Sequence, residues 1–158
     1  MTASPSPVSR ETSLCLLDVR PILDAGDDPF DQIMEALSAV TPDGVLRLVA
    51  PFEPRPLIRL LTGRGHAVEA WSAEPDVWDV EIRGPEAPEP LELRDLPAPE
   101  PLERVLVESS AIAPGRLLLA RVPKVPNLLL PHLKDRGLTF QVHQERDGSA
   151  LLVVRRPA

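Results

Sequence analysis

Four sets of residues in this 158-residue chain are of types that do chemistry: one cysteine, three histidines, an acidic loop and two arginines that end apolar runs. Cys15 is the sole thiol, so the chain can form neither an internal disulfide nor an all-cysteine metal cage. Set between Leu14 and Leu16, it reads as an inert strand cysteine, with sulfur transfer through it as the alternative. His66, His132 and His143 show neither an i, i+4 pair nor a zinc or haem spacing. They read as solvated or structural, and no cofactor is expected. The alternative is a metal or haem accessory role, in which histidines and acids from distant positions converge.

The loop Asp24-Ala25-Gly26-Asp27-Asp28 gathers three carboxylates just before an expected helix. One carboxylate can cap that helix while the others stay in water, and the competing use is to hold a cation or an arginine-bearing partner. Arg20 and Arg94 end comparable apolar runs. Each either pairs with a neighbouring acid or holds a small anion at the helix start that follows. No serine or cysteine nucleophile motif, glycine-rich phosphate loop or paired-carboxylate spacing is present, so a binding role is expected over an enzymatic one.

These residues lie on a pattern of elements that occurs twice. Leu17-Asp18-Val19-Arg20 answers to Leu91-Glu92-Leu93-Arg94, Asp28-Pro29-Phe30 to Glu100-Pro101-Leu102, Pro42-Asp43-Gly44 to Pro114-Gly115, and Arg64-Gly65 to Arg136-Gly137. Each stretch reads as strand, helix, strand, helix, strand, strand. In the first, Leu14 to Val19 is a strand. Asp28 caps a helix beginning at Pro29, and Phe30, Ile33, Met34, Leu37 and Val40 form one apolar stripe. Leu102, Val105, Leu106, Ser109 and Ile112 repeat the stripe. Pro42-Asp43-Gly44 and Pro114-Gly115 are expected turns into strands at 45–50 and 116–122. Second helices are expected from near Pro56 and near Asn127.

Closing hairpins are expected from residues 66–72 with 77–82 and 138–145 with 149–156. Asp147-Gly148 signals a type I′ turn, and a turn at Glu74-Pro75 places Trp71 opposite Trp78. The resulting fold class is α+β: two tandem β-α-β-α-β-β two-layer sandwiches, each a mixed four-stranded sheet with two helices on one face. The expected boundaries are a disordered tail over 1–12, a first repeat over 13–83, a Pro-rich linker over 84–90 and a second repeat over 91–158. Repeats this small are individually marginal, so they are expected to pack together or to pair as a homodimer.

Composition narrows the partners. The chain is 43% hydrophobic with a net charge of -7, and its 20 prolines punctuate apolar runs. Residues 1–84 carry 7 Lys+Arg against 14 Asp+Glu and residues 85–158 carry 10 against 10, so all the excess charge is in the first half. An acidic surface with three Phe and two Trp is poorly suited to phosphate backbones and base stacking, and nucleic acid is not an expected partner. No apolar run is long enough to span a bilayer and the start lacks a signal-peptide core. No membrane partner is therefore expected, and the cytoplasm is the expected compartment.

The stretch Leu93-Arg94-Asp95-Leu96-Pro97-Ala98-Pro99-Glu100-Pro101 resembles the signature of the TusA/SirA-like sulfur carriers. In them a strand ends in a Leu-x-Cys-Pro-x-Pro loop and a helix begins. Pro99, Glu100 and Pro101 match, but Ala98 stands at the cysteine position; in the first stretch Gly26 stands there and only Pro29 of the two prolines remains. A thiolate at a helix N-terminus carries a persulfide because the free N–H groups lower its pKa, and neither alanine nor glycine can replace it. The chain looks most like the cysteine-less branch of that family, a domain of unknown function found alongside hemerythrin-like domains or nitrogen-oxide metabolism. The resemblance implies a non-catalytic protein in redox or nitrogen-oxide metabolism. It would bind a partner protein or small ligand through its two strand-to-helix loops, with Arg20, Asp27, Asp28, Arg94, Ala98 and Glu100 as the candidate contacts.

Overall fold

The computed structural model describes residues 12–158, which divide into two compact units, one ending at Ala87 and the other beginning at Pro88. The expected disordered tail lies almost wholly outside the described residues. In the first unit β1 (Thr12–Asp18) leads through α1 (Arg20–Asp24) and α2 (Phe30–Ala39) to β2 (Val40–Ala50). Then come α3 (Arg55–Gly63), β3 (Ala67–Glu74) and β4 (Val77–Arg83). The second unit runs β5 (Leu91–Glu92), α4 (Glu100–Ser110), β6 (Leu117–Val122), α5 (Leu130–Asp135), β7 (Thr139–Gln144) and β8 (Ala150–Arg155). The two sheets have matching orders, β1-β2-β4-β3 and β5-β6-β8-β7. In each the first pair is parallel and the other two are antiparallel. The fold is therefore α+β, with two tandem sandwich units. Among the described residues no helix is long and apolar enough to cross a membrane.

Strand alternation and helix stripes build each core from one side of the sheet. Leu46, Leu48, Ala50, Val80 and Ile82 meet Ile33 of α2 and Leu61 of α3, while Leu152 and Val154 meet Val105 of α4 and Leu133 of α5. These side chains leave water almost completely, each such burial contributing about 1.5–3 kcal/mol for a Val, Leu or Ile. The opposite faces are buried as well. In the second unit that face is apolar, with Leu117, Leu119, Leu151 and Val153. In the first it carries Arg47, Asp79, Glu81 and Arg83.

Several local expectations are corrected. Trp71 and Trp78 do not pair: the turn falls at Pro75-Asp76, one residue later than expected, so Glu74 is opposite Val77, and one extra residue in β3 between Ser72 and Glu74 then leaves Trp71 opposite Asp79 and Trp78 opposite Ser72. The two indoles therefore lie on opposite faces of the sheet, and Trp71 stacks under the Arg47 guanidinium, 4.8 Å from the ring centroid. The Pro42-Asp43-Gly44 turn is absorbed into β2, which starts at Val40. The register jumps from Thr12 opposite Val40 to Leu14 opposite Val45, and this irregularity takes up the intervening residues.

The Asp147-Gly148 turn is not type I′. Gly148 has a φ of 92° but Asp147 is not in the left-handed region, and Gly148 N–H donates to Glu145 C=O at 3.1 Å. That is a three-residue loop with glycine at its bulge position. The second-unit helix expected near Asn127 starts at Leu130, after a turn, and an unexpected short helix, α1, follows β1. Gly84, read as the first residue of the linker, instead donates its N–H to Gly44 C=O at 2.9 Å inside the first unit.

Candidate functional site

The parallel pair in each unit ends at the N-terminus of its first long helix, and each unit has an apolar cleft there. The first, of about 360 Å³, lies between the start of α2 (Asp28, Pro29, Phe30, Ile33), the end of β2 and the segment Phe52 to Leu60. The second, of about 390 Å³, lies between Ala98, Pro99, Pro101 and Leu102 at the start of α4, the end of β6, and the segment Pro123 to Leu129. The carboxyl ends of parallel strands are where open α/β sheets take ligands. Three of the exposed large apolar residues of the chain line these clefts: Phe30 at 41%, Phe52 at 54% and Leu128 at 82% exposure.

The sequence shapes these clefts through its prolines. Pro51-Phe52-Glu53-Pro54 directly follows β2 and Pro123-Lys124-Val125-Pro126 directly follows β6. Proline withholds an N–H and fixes φ, which stops the strand and holds the segment off the sheet. At the helix starts, Asp28 Oδ1 accepts the Phe30 N–H at 2.9 Å, which caps α2 one residue beyond the formal boundary at Pro29. Ala98 and Pro99 are joined by a cis peptide bond.

Of the candidate contacts, Asp28 and Ala98 line the clefts. Arg20 and Arg94 do not: each turns back onto its own strand, with Arg20 Nη2 2.7 Å from Asp18 and Arg94 Nε 2.7 Å from Glu92. The bonds from Arg94 hold the Glu92 carboxyl below the usual glutamate range. Asp27 and Glu100 are exposed and outside the cleft walls, and Gly26, with a φ of 83°, follows Ala25, the C-cap of α1. The residues missed in sequence are Phe52, Lys124 and Leu128. The Pro-x-x-Pro spacing after both second strands marks the loops that carry Phe52 and Lys124, but not which way their side chains face, and nothing in the sequence marks Leu128.

The histidines are divided between the units. His66 faces the Arg83 carbonyl at 3.2 Å in the first unit. In the second unit His132 is exposed on α5, whereas His143 lies on the sheet face away from the helices, 3.6 Å from Glu145. Among the described residues no three His, Cys, Asp or Glu side chains are grouped to hold a metal ion.

Cys15 packs on the helix side of β1 against the first-unit core, and burial pushes its thiol above the ordinary cysteine value. At neutral pH the native thiol is expected to react with Ellman's reagent more slowly than in the urea-unfolded chain. Its rate should keep rising with pH beyond the ordinary cysteine range, since only the thiolate reacts. A native rate at neutral pH equal to or above the unfolded one would overturn this reading and revive sulfur transfer.

Residues 16–84 match the model of a family described as an uncharacterized conserved protein (DUF2249), so the first unit is similar to that family. No curated protein and no solved structure matches the chain.

Proposed function

We propose that this chain is a non-catalytic, TusA-like tandem-repeat protein that binds a partner protein or small ligand through the apolar clefts beside its two strand-to-helix loops. The observation that carries the reading is a cleft of similar size, at the same point of the fold, in both units, with exposed Phe30, Phe52 and Leu128 in its walls. Pockets of this volume with mostly apolar linings are the usual sites for small groups. The matching strand orders support the repeat, and Gly26 and Ala98 leave the loops without a thiol. A cytoplasmic location and a role in redox or nitrogen-oxide metabolism belong to the same reading, through the family resemblance.

The test is a two-dimensional amide NMR titration of the whole chain with octanol as a neutral apolar probe. Shifts are expected at the amides of residues 28–33 and 52–60, and at those of 98–102 and 122–129. Phe52→Ser and Leu128→Ser should each weaken binding in their own cleft about five-fold, the loss of roughly 1 kcal/mol of apolar contact. Both side chains are largely exposed, so the fold should persist. Shifts confined to other regions, or unaffected by either substitution, would remove the basis for the proposal.

A further inference from the structure

The two clefts differ in charge. The wall of the first contains one charged residue, Asp28, and that of the second contains one charged residue, Lys124. Phe52 and Lys124 hold the same position, the second residue after the second strand of their units. One unit presents an apolar ring there and the other a flexible ammonium group. No acid among the described residues is in ion-pair contact with Lys124.

We infer that the second cleft takes a small apolar carboxylate: its hydrocarbon part against Pro99, Leu102, Val125 and Leu128, and its carboxylate at the mouth beside Lys124. This deepens the cleft-binding reading above and rests on it. The volume of about 390 Å³ suits a small molecule and is far from a macromolecular interface. Lys124 is exposed, so pairing at the mouth leaves both charges partly hydrated and avoids the large desolvation cost of a buried pair. Asn127, in the same wall, adds an amide donor. In the first cleft Asp28, which already accepts the Phe30 N–H, repels the same carboxylate.

The experiment compares octanoate with octanol on the whole chain, following the amides of each cleft separately. In the second cleft octanoate is expected to bind about three- to five-fold more tightly than octanol, the scale of an exposed ion pair. Lys124→Gln should abolish that preference, and raising the salt concentration should shrink it. In the first cleft octanol should bind more tightly, and Asp28→Asn should narrow the gap. Equal affinities for the two probes in the second cleft, or a preference that survives Lys124→Gln, would overturn the inference while leaving apolar cleft binding intact. If neither probe moves the amides of either cleft, the cleft reading itself is overturned, and the inference with it.

Discussion

Glu81→Gln is expected to destabilise the first unit by about 3–5 kcal/mol, the range for breaking a buried ion pair from one side. Glu81 is completely buried and stands between two buried cations: its carboxylate is 2.8 Å from Arg83 Nη1 and 3.8 Å from Arg47 Nη1. Arg83 also reaches Glu69 at 2.5 Å, but that carboxylate is half exposed, with 52% of its side chain in contact with water. Burial opposes the charge on Arg83, and the bonds to Glu69 and Glu81 outweigh it, keeping the guanidinium charged. Glutamine matches the shape of glutamate but removes the central negative charge, leaving two buried guanidinium groups under-compensated. In urea the midpoint should fall by about 1 M or more for an m value of about 1–3 kcal/mol/M. Glu69→Gln, at the wet end of the network, should cost less than about 1 kcal/mol. Equal losses for the two variants would show that burial of Glu81 does not set the energetics of this face.

Gly84→Ala is the second large effect. A Cβ at Gly84 would overlap the Pro42 carbonyl oxygen and stand 2.7 Å from the Pro42 carbonyl carbon, both backbone atoms that cannot rotate aside. The segment is also tied down, since Gly84 N–H donates to Gly44 C=O at 2.9 Å and Glu86 N–H to Pro42 C=O at 3.0 Å. Gly44 is similarly confined, with its own Cβ position 2.7 Å from the Ser13 carbonyl oxygen. Accommodating a methyl group means moving this segment away from β2, at a cost of about 3 kcal/mol, the upper end for overpacking. Gly63→Ala is the fitting control. Nothing lies within 4 Å of its Cβ position and it ends a helix, so its substitution should be close to neutral. If Gly84→Ala unfolds at the same urea concentration as the unaltered chain, the close approach of the two segments is absent in solution.

What was legible in the sequence followed from periodicity. The stripes through Ile33 and Val105 and the apolar runs of β2, β6 and β8 identify elements whose burial is forced by spacing, and they form the two cores, except that Phe30 at the head of the first stripe is exposed and Val40 at its end belongs to β2. The misses have local physical causes. One extra residue in β3 inverted the relation of Trp71 to Trp78, and alternation of residue types does not record a bulge. Arg47, Glu81 and Arg83 alternate with apolar residues as a solvated face would, yet they are buried because each finds an opposite charge. Gly84 read as linker because its neighbours are Pro-rich, whereas its role depends on Pro42, distant in sequence. In the candidate site, Asp28 and Ala98 were legible from the helix start they precede. Phe52, Lys124 and Leu128 were not, because only the path of the proline-bounded loops decides whether an apolar or charged side chain faces a cleft.

The most direct test of the binding account places a photoreactive phenylalanine analogue at position 52, 128 or 107 and cross-links the whole chain in its own host. Val107 is a control of matching character, 66% exposed on α4 but outside both clefts. Adducts of defined mass are expected at position 52, at 128 or at both, and none at 107. The mass would separate a small ligand from a protein partner. Absence of adducts at 52 and 128, or equal yields at all three positions, would contradict the claim that the clefts are where this protein binds.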